Sequence, residues 1–371
     1  MESIREYFEE VETTKEYDGY YYQVGDIVSI VVLGSLCGLK NLNQLHQWAK
    51  NERTREFLRK EFNIERIPCY YWFLCLLKMV KPDSLSRCLM RWAEEQLPEN
   101  RKGVTVSLDG KTVRSTGKMD SYESPLHVVS AQLCELGITL GSKSVEGKSN
   151  EIPAVQELLR ELEISGCMVV ADALQCQKKT AKAVIDGKGD YLLSVKGNQK
   201  TLETDISDYV QDTDLRKNMD TNVQKEKNRG RIEKRTAFVT DDVGWIPDRQ
   251  AWPGLCCIGA IHTEFEEKGK KTSEWHYYIS SRKLTALELL HHARMEWSVE
   301  SMHWLLDVHF SEDFCRIEDK NVQQNLNILR KFALSIIKSF KTTTPSKRPL
   351  SHIMFHCLLE PYSLVPLWSE N

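Results

Sequence analysis

From residue 1 to about 95 the apolar positions fall at helical spacing. Ile27, Val28, Val31, Val32 and Leu36 make a stripe broad enough for a buried helix, stopped by Gly38. Leu45, Trp48 and Ala49 make a second, short stripe, and Phe57 and Phe62 follow. Tyr71 to Val80 is nearly all apolar, and Ser84 to Leu97 carries Leu85, Leu89 and Trp92 behind Pro82-Asp83. This pattern predicts a bundle of short helices with turns at Gly38 and the prolines.

At Gly103 the period changes. Val104, Val106 and Leu108 alternate with Thr105 and Ser107, a period-two strand that ends at Asp109-Gly110. Leu126 to Leu133 predicts a second strand, and a turn at Gly137 leads into a third through Ile138 and Leu140. Ile152 to Leu162 reads as an amphipathic helix. Met168 to Ala171 is a continuous apolar run, as for a strand covered on both faces, and it ends at Asp172. A helix through Ala181, Val184 and Ile185 precedes a fifth strand, Tyr191 to Val195, stopped by Gly197-Asn198. Three strands, helix, strand, helix, strand is the ribonuclease-H-like order of a mixed α/β sheet.

Residues of about 229–282 turn β-rich again, and a long helix is predicted from about 284 into the 300s. A last helix carries Val322, Leu326, Leu329, Phe332, Ala333, Ile336 and Phe340. The expected division is a helical domain over 1–98, an α/β core over 99–345 with a β-rich insertion at about 200–283, and a C-terminal tail over 346–371.

Composition narrows the class. The 371 residues are 41% hydrophobic and 28% charged, a globular mixture. The formal net charge of −3 argues weakly against nucleic acid, but its distribution matters more. Residues 216–235 hold eight Lys or Arg against three acids, and 328–348 hold Lys and Arg with no acid. Such stripes fit DNA backbone contacts or a solvated face. The 11 cysteines include no C-x-x-C pair, so neither zinc nor a disulfide framework has spacing support. The start MESIREYFEEVE lacks a signal-peptide pattern, and the longest apolar run is too short for a bilayer. The expectation is a cytoplasmic protein with no membrane partner.

Asp109 and Asp172 close two strands that neighbour each other in this sheet order, so both carboxylates would project from one edge. Hard oxygen ligands suit Mg²⁺, and two ions about 3.5–4 Å apart could serve phosphoryl transfer. The plainer readings are a turn at Asp109-Gly110 and a helix cap at Asp172. A third carboxylate would come from Glu296, Glu300, Asp307, Glu312 or Asp313. Helical spacing sets Glu296, Trp297, His303, Trp304 and Asp307 on the side of Glu300, and the two tryptophans predict a partly buried face. Periodicity does not choose between Glu300 and Asp307.

The runs SLDGKTVRSTG, EGKSNEIPAVQELL, ADALQCQKKTAKAVIDGKGDYLLSVKGNQKTL, RGRIEKR and WSVESMHWLLDVHFSEDFCR resemble, in unbroken order from about 100 to 340, the ISAs group of insertion-sequence transposases, which includes the H-repeat-associated proteins. Residues 20–97 resemble the helical domain that precedes the core in this group. The resemblance implies a ribonuclease-H-like DDE fold with Asp109, Asp172 and Glu300 as catalytic and metal-binding acids. It implies Mg²⁺ as cofactor, two ions, with Mn²⁺ as an alternative. It implies DNA as partner, both element ends and target, and a homo-oligomer assembled on DNA in the bacterial cytosol. Among the positions it matches or leaves basic, Lys111, Lys196, Asn198, Gln199, Arg231, Arg294 and Arg316 are the expected DNA contacts. The chain departs from the group at Arg229 and Glu296, where His is usual, and at Ser301, where Asn is usual. It also lacks the polar residues usual in IPCYYWFLCLL. The three acids are intact. A remnant that binds DNA without catalysis, or a metal-dependent nuclease on the same fold, stays open beside the transposase.

Overall fold

The computed structural model describes the chain except for residues 1–3, 17–20, 117–124, 146–149, 229–230, 268, 316, 345–346 and 370–371. Five helices come first: α1 (Val24–Leu36), α2 (Leu42–Lys50), α3 (Glu52–Phe62), α4 (Tyr70–Met79) and α5 (Pro82–Glu95). Every residue of α1 from Asp26 on is buried, as a helix apolar on all sides requires. Asn41 caps α2 by accepting from the Gln44 amide, and Asn51 caps α3 by accepting from the Arg53 amide. There follow β1 (Thr105–Thr112), β2 (His127–Leu133), β3 (Ile138–Val145), α6 (Glu151–Glu161), β4 (Met168–Ala171), α7 (Lys178–Asp186) and β5 (Asp190–Val195). Then come α8 (Lys200–Gln211), the single turn α9 (Thr213–Arg216), β6 (Asp220–Asn228), β7 (Arg231–Thr240), β8 (Cys257–Glu267) and β9 (Lys270–Ser280). Five helices close the chain: α10 (Ala286–Met295), α11 (Ser298–Phe310), α12 (Lys320–Thr343), α13 (Leu350–Leu359) and α14 (Leu364–Ser369).

Through hydrogen-bonded neighbours the strands run β3-β2-β1-β4-β5-β9-β8-β7-β6. The first five follow the predicted ribonuclease-H-like order, with β4 parallel to both β1 and β5. Two expectations are corrected. Strand β1 continues through Asp109-Gly110 to Thr112, so that dipeptide is not a turn. The long helix from 284 is two helices: the Trp297 amide closes onto the Arg294 carbonyl three residues back, a tight final turn after which α11 starts anew.

The chain divides into two compact units. One comprises Asn100–Asp109 and Val155–Val299. Here the β-rich insertion continues the sheet, because β9 pairs antiparallel with β5. The β8–β9 register runs out to Glu267↔Lys270, and Gly269 just before β9 stands at φ 80°, a conformation that glycine adopts without strain. Helix α10 covers one face, with Leu289 and Leu290 among Met168, Val170, Leu192, Ala237 and Ile261. A capping box at Thr285 and Glu288 sets its start.

The other unit comprises Met1–Glu99, Gly110–Ala154 and Glu300–Asn371. Strands β2 and β3 form an antiparallel hairpin there, packed by α5 and α12. Phe332 of α12 meets Phe8 and Trp92 edge-on at 5.5 and 5.1 Å, and Trp368 of α14 meets Tyr7 at 5.6 Å. Asn325 donates to the Leu77 and Val80 carbonyls, satisfying the end of α4. Among the described residues no helix is long and apolar enough to cross a membrane.

Candidate active site

Strands β1 and β4 pair in parallel, with Leu108 opposite Ala171 at the end of the register. Asp109 and Asp172 are the next residue on each. Neighbouring strands stand about 4.8 Å apart, so two carboxylate-bearing residues share one strand-end level. Side chains alternate along a strand, so Asp109 follows the face of Thr105 and Ser107, the face α10 covers. Thr105 Oγ1 lies 2.9 Å from His292 Nδ1 of α10, and Ser107 donates to the Glu296 carbonyl at 2.8 Å. The His292 imidazole is pushed down to about 4, first by burial and then by the Arg282 charge, so it is neutral there.

Asp172 also has its plainer role. Its carboxylate accepts from the Gln175 amide at 3.3 Å and caps a short 3₁₀ turn. Asn198 and Gln199 brace the same segment: their side-chain amides donate to the Ala173 and Cys176 carbonyls at 2.6 and 3.0 Å. Lys196 beside them is exposed.

Glu300 is exposed in the first turn of α11, four residues after Glu296. The other acid candidates in its unit are committed. Lys111 Nζ lies 2.6 Å from Asp307, 2.8 Å from Glu312 and 3.9 Å from Asp313. Burial opposes the Lys111 charge, yet Glu312 and Asp307 raise its pKa above the ordinary lysine value. Glu312 is only 1% exposed; against burial, Lys111 and then Lys331 hold its carboxyl below the usual range. An ammonium held by three carboxylates is not placed as a surface DNA contact. The predicted buried face with two tryptophans is corrected: Trp297 and Trp304 are 65% and 60% exposed, while Met302, Leu306 and Phe310 take the inner side of α11.

Other expected DNA contacts are distributed unevenly. Arg294 pairs with Glu226, and Arg231 lies 3.9 Å over the Phe265 ring. Arg316, with the family positions Lys148 and Arg229, lies outside the described residues. The 216–235 stripe does not form one basic face, because strand alternation splits it and Lys234 and Arg235 are paired with Glu264, Glu233 and Glu226.

One arrangement was not legible in the sequence. His127 Nε2 lies 2.9 Å from Glu151 and its Nδ1 2.9 Å from Thr112 Oγ1. A Cβ on Gly110 would stand 2.5 Å from the Glu151 carboxylate, so a side chain at this strand position would displace Glu151 from His127. Residues 112, 127 and 151 carry no spacing signal that would join them.

Among the described residues no three His, Cys, Asp or Glu groups stand together as a metal site. The Asp109–Asp172 pair still matches what Mg²⁺ takes from protein, one or two carboxylates with water and phosphate completing the shell.

The first five strands run in the ribonuclease-H-like order, with Asp109 and Asp172 one residue beyond matched positions of the parallel strands β1 and β4. The family comparison is specific: residues 102–336 match the family described as Transposase DDE domain, and residues 5–93 match the one described as DDE_Tnp_1-associated. The chain belongs to the DDE transposase family. It is 28% identical to "Putative transposase YncI" of Escherichia coli O157:H7, over 92% of this chain and 88% of that protein. It is 29% identical to "H repeat-associated putative transposase YhhI" of Escherichia coli K12, over 86% of each. A solved piggyBac transposase synaptic complex with hairpin DNA aligns at TM-score 0.45 and 10% identity, over 98% of this chain and 76% of that one.

Proposed function

We propose that this protein is a DNA transposase that cuts at the ends of an insertion sequence and joins the freed ends to target DNA. The observation that supports this best is the pair Asp109 and Asp172, one residue beyond matched positions of parallel strands, in a DDE-family chain. Glu300 is proposed as the third acid. Asp307, Glu312 and Asp313 surround Lys111, which leaves Glu300 the better candidate among the late acids of its unit.

Asp109, Asp172 and Glu300 would hold Mg²⁺. Bound there, the metal supplies charge neutralisation at the phosphate and a lowered pKa for an attacking water or hydroxyl. The chain's own part is positioning. Asn198 and Gln199 hold the segment after Asp172, so they are assigned as braces of that acid before DNA contacts. Water opens the scissile phosphodiester and frees a 3′-hydroxyl, which attacks a target phosphodiester in a second in-line displacement. Lys196 and Arg231 are proposed backbone contacts, and a homo-oligomer on DNA is the proposed working form.

The test uses purified protein, Mg²⁺ and a labelled duplex carrying the gene's flanking repeats. Asp172→Ala is expected to lower cleavage at least ~10³-fold, on the scale of removing a catalytic group, while DNA affinity stays within a few-fold. Equal loss of cleavage and binding would remove Asp172 from this role. Cleavage without joined products would make the protein a nuclease, and binding without cleavage by either form a remnant.

A further inference from the structure

Between Asp319 and Glu360 the chain has forty consecutive residues without an acid. They include Lys320, Arg330, Lys331, Lys338, Lys341, Lys347 and Arg348, in a protein whose net charge is −3. The fold sorts these cations. Arg330 and Lys331 are buried and donate to the Lys40 carbonyl and to Ser130. Lys320 opens α12 at its far end. Lys338, Lys341, Lys347 and Arg348 gather where α12 ends and α13 begins, and Lys341 ties the two stretches by donating to the Arg348 carbonyl at 2.9 Å. The outer face of α13 adds exposed His352, Phe355 and His356. A cleft of about 650 Å³ opens here, lined by Lys347, Arg348 and His356 together with Phe340 and Ile353. Glu360, the next acid along the chain, is paired with Arg53.

A cation near a helix C-terminus often only balances the macrodipole. That end carries about half a negative charge, less than Lys341, Lys347 and Arg348 bring together. The N-terminus of α13 adds about half a positive charge to the same place. The crowding leaves a trace at Lys338, whose ammonium is disfavoured first by burial and then by the Lys341 charge. Positive charge in a cleft with apolar walls is focused toward the solvent, and a polyanion would relieve it. The hairpin of β6 and β7 is the opposite case, with its cations interleaved with Glu226, Glu233 and Glu264.

We propose that the face formed by the end of α12 and the start of α13 is a contact surface for the phosphate backbone of duplex DNA. The proposal rests on the reading of this chain as a DNA-processing protein and adds where the duplex is gripped. Its partner is a regular array of phosphates, because the exposed charges of Lys347 and Arg348 stand at an open cleft with apolar walls. Contacts of this kind are independent of base sequence and strongly salt-dependent.

The test is fluorescence anisotropy of the full chain with a labelled duplex of arbitrary sequence, over a series of salt concentrations. Lys341→Glu, Lys347→Glu and Arg348→Glu are combined in one variant, and the same positions changed to Gln in a second, which reads the surface if charge reversal impairs folding. A third variant, Lys225→Glu with Lys227→Glu, controls for charge reversal elsewhere. Each phosphate contact contributes about 0.9 to the slope of log affinity against log salt. The combined variants are expected to lose about 2–3 from that slope, and the reversed one about 100-fold in affinity near 0.1 M salt. The β6 control should change affinity by less than about threefold.

Slope and affinity unchanged in the combined variants, or the loss appearing only in the β6 control, would overturn the proposal. So would loss of binding to vesicles containing phosphatidylserine with DNA binding unaltered, which would make the surface a membrane contact. If the unaltered protein cleaves its element ends while the Gln variant binds duplex normally, this inference fails and the transposase reading stands. If the unaltered protein binds no DNA, both fail.

Discussion

Lys331 shows how far a single side chain can leave its ordinary chemistry. It is 1% exposed, its ammonium donates to Ser130 at 2.8 Å, and burial drives its pKa down to about 8 against the pull of Glu312. An unfolded lysine keeps its proton to about 10.4. Between the two values the unfolded chain binds more protons than the folded one, so stability rises with pH across that window and is lowest below it. Each pH unit inside the window adds at most about 1.4 kcal/mol. Urea denaturation at pH 8 and 9.5 should therefore find the native protein up to about 2 kcal/mol more stable at the higher pH, relative to Lys331→Met measured the same way. Parallel pH dependence in the two proteins would mean that Lys331 titrates normally. Lys331 appears in the sequence only as one more member of a basic stripe, because burial cannot be read from charge. Asp172 is the converse: its place after an apolar run was legible, and it both ends the strand and caps the next turn.

Among the elements, α10 carries much of the order around Asp109. It packs on the sheet, holds Thr105 through His292, and brings its end to Ser107. Its start depends on the reciprocal bonds of Thr285 and Glu288. Thr285→Ala should destabilise the protein by about 1 kcal/mol, measured by denaturant melting. An effect below about 0.3 kcal/mol would show that sheet packing alone sets the helix end. The strands of the core were legible because burial among apolar neighbours writes a continuous apolar run at Met168–Ala171, and because at Val104–Leu108 the face turned to α10 is made of the small polar residues Thr105 and Ser107, which leaves an alternation although both faces are buried. Strand β6 was not, since DTNVQKEKN has neither pattern; its partner β7 holds it in place over nine matched positions. Helix α13 is hard to read for a similar reason, its buried apolar residues being interspersed with exposed Phe355 and Leu359, and α14 is only six residues long.

Within the unit that holds Phe332, segments remote in sequence complete one core. Residues from both ends of the chain meet there, Tyr7 and Phe8 with Trp368 around Phe332. Truncating Trp368 leaves a cavity among aromatic rings, and Trp368→Ala should lower unfolding free energy by about 3–5 kcal/mol. A loss under about 1 kcal/mol in a calorimetric melt would mean that α14 is dispensable to that core. At this scale too belongs the uneven charge. A net value of −3 conceals forty residues without an acid, and summed charge is a poor guide to what a face will bind.

Periodicity, local along the chain, was enough to give the ribonuclease-H-like order and to bring Asp109 and Asp172 forward as candidates beside the plainer readings of a turn and a cap. Long ordered blocks of residues were enough to indicate the family. What the sequence could not decide are the matters of partnership: that Lys111 is held by Asp307 and Glu312, that Asn198 and Gln199 donate to backbone carbonyls, that Glu151 fills the space Gly110 leaves, and that the tryptophans of 297 and 304 face solvent. Each depends on groups tens to hundreds of residues apart. The short-range patterns of a chain record which side of an element is apolar, and only the folded chain settles which polar group meets which.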